Sequence, residues 1–273
     1  MSRKRLTQIF PFLLPLRRWQ RKKLFYIKMR FDGNRYAKEI NSNTLPCEVF
    51  GTSSLMLNKN SGFDMKYQQN KVFNLKLAAK TLNHVVIKPG ETFSFWQLAR
   101  YADRRERYKD GLNLIDGKIV GSYGGGLCQI SNMLFWMFLH TPFDIVERHG
   151  HAVESFPSTT ESNPAGTDAT INEGWLDLKV RNNTTANYQI VIRFDDEYMY
   201  GWIYSDSPQR YEYKIYNSQV TYQRRNGRIY QTAVVNCLRA NKDTDVTEQL
   251  ELYTNVCEIG YELPKSINIE EMD

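Results

Sequence analysis

Cys128 follows Gly124-Gly125-Gly126-Leu127 and precedes Gln129-Ile130-Ser131-Asn132 and a long apolar run, Met133 to Leu139. The run predicts a buried helix whose polar first turn begins at the cysteine. A thiol there feels the positive end of the helix dipole and unpaired N–H groups, both of which favour thiolate. The same N–H groups can hold an oxyanion when an acyl carbon is attacked. A thiol nucleophile also needs a base. His149 and His151 follow on a stretch that, if extended, puts both imidazoles on one face. Asp168 comes after a loop, where it can orient either ring. Gln129 and Ser131 are expected to line the mouth of the site.

Two other roles fit the same residues. Cysteine is often a small buried hydrophobe, so Cys128 and its glycines can be core packing. Alternatively, the backbone N–H groups of Gly124, Gly125 and Gly126 can cradle a phosphate or a peptide carboxylate without any reaction. The run lacks the Lys-Ser/Thr ending of a nucleotide loop, which argues against ATP or GTP. Cys128, His149 and His151 are of metal-ligand type, but no second cysteine or suitably spaced carboxylate joins them, so neither a metal nor a cofactor is assigned. His140 is expected to close the helix as a partly charged ring. Asp177 is expected on a solvated strand face. The four cysteines show no CxxC spacing and suggest a reducing compartment, with a Cys237–Cys257 bridge as the alternative.

The elements that must position these groups divide by period. Val72, Leu75, Leu77, Ala78, Leu82 and Val85 recur at helical spacing and predict a helix near residues 70–85. Residues 31–65 and 101–123 read as irregular. Thr92 to Trp96 reads as a strand or a helix start. Phe143, Ile145 and Val146 suggest a strand, and Trp175 to Val180 alternates as a half-buried one. An antiparallel meander then follows: 188–194 and 198–204 around Asp195-Asp196-Glu197, 211–216, 221–225, 228–237 across the hairpin signal Asn226-Gly227, and 250–256. The fold class is α+β: a mainly antiparallel sheet packed against the helix that starts at Cys128, with a second helix near 70–85.

The net charge of +6 resides at one end. Ten of the 36 Lys and Arg lie in residues 1–30 with no acid among them, which leaves 26 against 30 Asp and Glu in the remainder. That body repels phosphate backbones at long range, so nucleic acid is not an expected partner. The apolar segment Ile9 to Leu16 falls far short of the ~20 residues of a spanning helix, and basic residues follow it where a signal peptide would have a cleavage site. Basic residues flanking Phe, Leu and Trp19 suit the inner face of an anionic membrane. The alternative is a solvated arm packed on the body. The expected organisation is a basic arm (1–30), a core (31–205) and a C-terminal β extension (206–273), located in the cytoplasm or at the inner membrane face.

Several ordered blocks carry a resemblance: Lys88-Pro-Gly-Glu-Thr-Phe-Ser-Phe95, Gly124-Gly-Gly-Leu-Cys-Gln-Ile-Ser131, Glu147-Arg-His-Gly-His151, Asp168-Ala-Thr170 and Asp177-Leu-Lys-Val-Arg-Asn182. Together they resemble the VanW family over roughly residues 65–205. The basic start and the C-terminal strands are similar to those of members found in B-type vancomycin-resistance clusters. The resemblance implies a role in glycopeptide resistance, around cell-wall peptide precursors ending in D-Ala or D-lactate. It brings no assigned reaction. The family's Arg-x-x-His element maps onto Arg148 and His151, which favours His151 over His149 and adds Arg148 to the residues expected to bind substrate. Separately, the chain order Cys, His, Asp on a helix followed by strands resembles the transglutaminase-like and papain-like cysteine enzymes, an analogy of layout alone.

Overall fold

A computed structural model describes residues 10–57, 63–115, 118–155, 163–244 and 246–272. The fold is α+β. Its α-helices are α1 (Leu14–Arg30), α2 (Met65–Leu82), α3 (Phe95–Ala99) and α4 (Cys128–Phe138). Strands Glu39–Ile40, Val85–Ile87, Tyr188–Phe194, Tyr198–Ser205 and Cys47–Leu55 pair in that order into one sheet. Helix α4 lies against it, with Met133 and Met137 pressed onto Gly201, where any side chain would collide with their sulfurs. Ile130, Leu134, Phe135 and Met137 are fully buried, as an apolar helix requires.

A second sheet orders Arg35–Tyr36, Glu91–Ser94, Lys179–Arg181 and Asp144–Glu147. A third is built from the long strands Tyr211–Arg225, Arg228–Asn241 and Thr247–Ile259, flanked by Glu270–Glu271 and Val153–Glu154. The last pairing matters for the site: Val153 and Glu154 run parallel to Glu258 and Ile259, tying the segment after His151 to the C-terminal strands.

Several elements differ from the sequence reading. Residues 47–55 form a strand rather than irregular chain, at the edge of the sheet beside Tyr198–Ser205, with exposed and half-buried residues largely alternating along it. Residues 110–123 form a hairpin, Asp110–Ile115 against Lys118–Tyr123, which polar residues and glycines disguise. The strands expected at 211–216 and 221–225 are one, bent by a register shift between Asn217 and Gln219. All four cysteines are free. Cys237 faces Leu250 and Cys257 faces Gln231 across their ladders, so the alternative bridge does not form.

Helix α1 is no free arm. Tyr26 and Met29 are buried against the body, and the Tyr26 hydroxyl donates to Glu173 Oε1 at 2.6 Å. Lys22 pairs with Glu173 Oε2 at 2.6 Å. Leu16, Trp19, Leu24 and Ile27 of this helix stay exposed among its basic residues. Among the described residues, no helix is long and apolar enough to cross a membrane.

Asp177 also departs from expectation, for it is fully buried. The Ser94 hydroxyl donates to its Oδ2 at 2.5 Å, and the N–H groups of Trp96 and Leu178 donate to Oδ1 at 3.1 and 2.9 Å. Leu178, Lys179 and Val180 are buried as well, so alternation does not separate inside from outside here. Burial outweighs these donors and raises the Asp177 pKa to about 6. The folded state therefore holds a proton that the unfolded chain has lost, and stability falls as pH rises from about 4 to about 6. Asp177→Asn keeps the Oδ1 acceptor and turns an N–H toward Ser94. It should flatten that fall and raise stability at pH 7 by up to about 3 kcal/mol. Urea unfolding at pH 4 and pH 7 measures it; lower stability at pH 7 would mean that Lys179 compensates the carboxylate more than burial penalises it.

Candidate functional site

The glycine run is where two elements meet. Its second member, Gly125, packs backbone to backbone on Gly111 of the hairpin; a Cβ there would stand 2.1 Å from the Gly111 carbonyl. Asn74 of α2, fully buried, fixes this junction. Its Nδ2 donates to Lys109 O and Gly125 O at 2.9 and 3.0 Å, and its Oδ1 accepts from Lys109 N at 2.8 Å. Gly124 and Gly126 take φ of 69° and 90°, left-handed values that let the chain turn sharply into α4. Helix α4 starts without a side-chain cap. Among the described residues, the N–H groups of Leu127 and Cys128 meet no acceptor, whereas those of Gln129, Ile130 and Ser131 are engaged.

Cys128 is part-buried at this start. Its sulfur lies 3.5 Å from Thr170 Oγ1 and 3.9 Å from Ile171 O. Burial pushes the thiol up, but the hydrogen bond and charge of His151, with the Ile171 and Thr170 contacts, outweigh it and leave the thiol below its ordinary value. His151 is drawn the other way. Burial lowers its pKa, while hydrogen bonds to Asp168 and Cys128 and their charges raise it to about 10. The two shifts are coupled, each charged form favouring the other.

His151 is held by Asp168 twice: Nδ1 lies 2.5 Å from Oδ2, and the His151 backbone N–H donates to the same oxygen at 2.7 Å. Burial pushes Asp168 up, yet His151 and then Arg148 hold it below the usual carboxylate range. Arg148 completes the chain of contacts. Its Nη2 reaches Asp168 Oδ1 and Gly166 O at 2.7 Å each, Nε reaches Asp168 O at 2.7 Å, and Nη1 reaches Asn255 Oδ1 at 2.8 Å. The guanidinium lies 5.5 and 4.7 Å from the ring centroids of Phe135 and Tyr253, which themselves pack on one another.

The structure thus brings Cys128, His151 and Asp168 together and separates other expected residues from them. His149 turns to Glu147, 3.1 Å away, so the two imidazoles do not share a face. Arg148 does not border the cleft; its side chain is 7% exposed and its three nitrogens are bonded to Asp168, Gly166 and Asn255. Ser131 is fully buried and does not line the mouth: its hydroxyl sits 2.5 Å from Ala169 O and 3.1 Å from Cys128 O. Gln129 borders the cleft but anchors strand Cys47–Leu55, donating to Ser54 Oγ and Leu55 O at 2.8 and 2.7 Å. Gly124 and Gly126 line the cleft, while Gly125 turns to the hairpin. His140 is buried, stacked on Phe50 at 3.8 Å with Nδ1 2.8 Å from Trp136 O; burial lowers its pKa, so it is not the charged helix terminus expected.

The cleft measures about 1910 Å³ and is bordered by Cys128, His151, Asp168 and Thr170. Thr170, Asn74 and Lys71 are the residues that sequence reasoning missed. Asn74 sits at an inward position of a recognised helix, and a polar residue on an apolar face is the signal that marks it. Among the described residues, no cluster of His, Cys, Asp and Glu is suited to a metal ion.

A family model described as VanW like protein matches residues 70–204. The chain is 53% identical over 272 residues to the vancomycin B-type resistance protein VanW of Enterococcus faecalis, with 99% of each covered. It is 34% identical over 125 residues to the uncharacterized protein YoaR of Bacillus subtilis, covering 46% of this chain and 39% of that one. No solved structure matches.

Proposed function

The chain belongs to the VanW family, and from that premise we propose that it serves vancomycin resistance as a cysteine-dependent enzyme, transferring or hydrolysing an acyl group on cell-wall peptide precursors. The relative's name supplies the link to resistance. The observation that carries the chemistry is a cleft bordered by Cys128, His151 and Asp168, in which the His151 ring is bonded to Asp168, Asp168 is bonded to Arg148, and the charges of His151 and the Cys128 sulfur act on one another.

The thiolate attacks the substrate carbonyl carbon, forming a C–S bond while the carbonyl π pair moves to oxygen. The N–H groups of Leu127 and Cys128, which meet no acceptor among the described residues, are the backbone donors available to that oxyanion. Collapse re-forms the C=O and breaks the bond to the leaving amine or alkoxide, which takes its proton from the His151 imidazolium. Water or an amine then attacks the thioester, with neutral His151 accepting its proton. The thiolate leaves, and the imidazolium pair is restored. Asp168 keeps the ring oriented throughout, and Arg148 positions Asp168.

A minimal acyl donor tests this. With p-nitrophenyl acetate, the protein should release a burst of about one equivalent of nitrophenolate and carry an acetyl group on the Cys128 peptide by mass mapping. Cys128→Ala should show no burst. An absent burst and an unmodified Cys128 in the native protein would remove the catalytic reading, leaving a module that binds a peptide or precursor carboxylate at the same helix start.

A further inference from the structure

Lys71 lies one turn before Asn74 on α2, so both side chains point at the glycine run. Its stem covers Gly126 closely: a Cβ on that glycine would meet Lys71 Cγ at 2.2 Å. The side chain borders the cleft that Cys128 and His151 also border. Three other lysines on the body have carboxylate partners, and Lys109 and Lys76 lie over the rings of Phe73 and Phe194. Lys179 meets Glu147 at 2.9 Å and Asp32 at 3.8 Å, Lys22 meets Glu173, and Lys88 meets Glu39. Among the described residues, no carboxylate pairs with Lys71. Burial lowers its pKa to about 8, which still leaves it mostly cationic at pH 7. An unmatched ammonium in a partly desolvated wall is an anion site awaiting its anion.

The seat of the stem over Gly126 gives the scale on which that anion would sit along a substrate. Gly126 and Cys128 are two residues apart, at most about 7 Å of chain. A peptide in the cleft advances about 3.5 Å per residue. We infer that Lys71 binds the free C-terminal carboxylate of a peptide substrate, one to two residues beyond the carbonyl that faces Cys128. The fragment released on acyl transfer is then the C-terminal one, and amidated or extended peptides are poor substrates. This inference rests on the thiol reading for the word substrate, but the carboxylate site stands without it.

Two measurements on the full chain separate the failure of one from the failure of the other. The first compares alkylation of Cys128 by N-bromoacetylglycine and by its amide at pH 7, read by peptide mapping. The native protein should favour the acid by about tenfold, the worth of one charge-assisted hydrogen bond. Lys71→Met keeps the stem over Gly126 and should erase the preference for the acid over the amide. Lys71→Arg should retain it. A preference that survives in Lys71→Met, or none in the native protein, overturns the inference. The second measurement is titration calorimetry of N-acetyl-Gly-Gly and its amide on Cys128→Ser, where no thiol chemistry can occur. The acid should bind at least about tenfold tighter, and Lys71→Met should abolish that difference. Equal binding of the two, or no binding of either, overturns the inference. An unreactive Cys128 together with selective acid binding would instead discard the enzyme and keep the carboxylate site.

Discussion

His151→Ala should move the midpoint of Cys128 alkylation from below the ordinary thiol value of about 8.5 to above it, and slow iodoacetamide at pH 7 by about three- to tenfold. The direction follows from the balance at the sulfur. Burial alone pushes this thiol up, and the hydrogen bond and charge of His151 are the largest opposing contributions. Removing the ring leaves burial against the weaker contacts of Ile171 O and Thr170 Oγ1. The rate changes less than the ionised fraction because a more basic thiolate is also more nucleophilic, with a Brønsted slope of about 0.4–0.5. In the native protein the rate should rise as pH climbs through the depressed thiol pKa. A further rise is expected near pH 10, where the imidazolium loses its proton. Cys237 and Cys257, pushed by burial to about 11 and about 12, serve as internal controls and should stay unmodified. A native midpoint at or above 8.5, or a profile unmoved by the substitution, would sink the ion pair.

The largest loss of stability is expected from Asp168→Ala, about 3–5 kcal/mol by urea unfolding at pH 7. The carboxylate is the only formal countercharge to the Arg148 guanidinium among the described ion pairs. Deleting it leaves a buried cation with carbonyl and amide partners alone, and it also frees the His151 backbone N–H. Asp168 has a folded pKa below its unfolded value. Its contribution is therefore present above about pH 4 and lost as pH falls through the depressed folded value. The gap between native protein and variant should close on that acid limb. A gap under about 1 kcal/mol at pH 7, or one independent of acid, would mean that Arg148 is stabilised by Gly166, Asn255 and the flanking rings without the carboxylate.

The two predictions share a cause that a linear reading could only half supply. The thiol, the imidazole and the carboxylate were recognisable from residue type, and the uncapped helix start from the glycines and apolar run ahead of and behind Cys128. Strand 188–194 and its partner were legible because apolar alternation and the turn Asp195-Asp196-Glu197 are local signals. The hairpin at Asn226-Gly227 was legible for the same reason, with φ of 50° and 75° at those residues. Strand Cys47–Leu55 was not, since its glycine and serines carry little strand preference and its place comes from Tyr198–Ser205.

Which histidine borders the cleft beside Cys128, what Arg148 touches and where the Lys71 stem packs were decided elsewhere in the chain. Strand Val153–Glu154 is captured by Thr247–Ile259, and that pairing and the two Asp168 bonds hold His151 toward the sulfur while His149 turns to Glu147. Arg148 is held by Asn255, more than a hundred residues away, and by the Tyr253 ring. By itself the sequence determined the chemical groups, the α+β class and the local elements, because propensity, turn geometry and side-chain chemistry act over a few residues. Only the tertiary structure decided which groups meet, because burial and hydrogen bonding depend on neighbours that the chain brings in from far away.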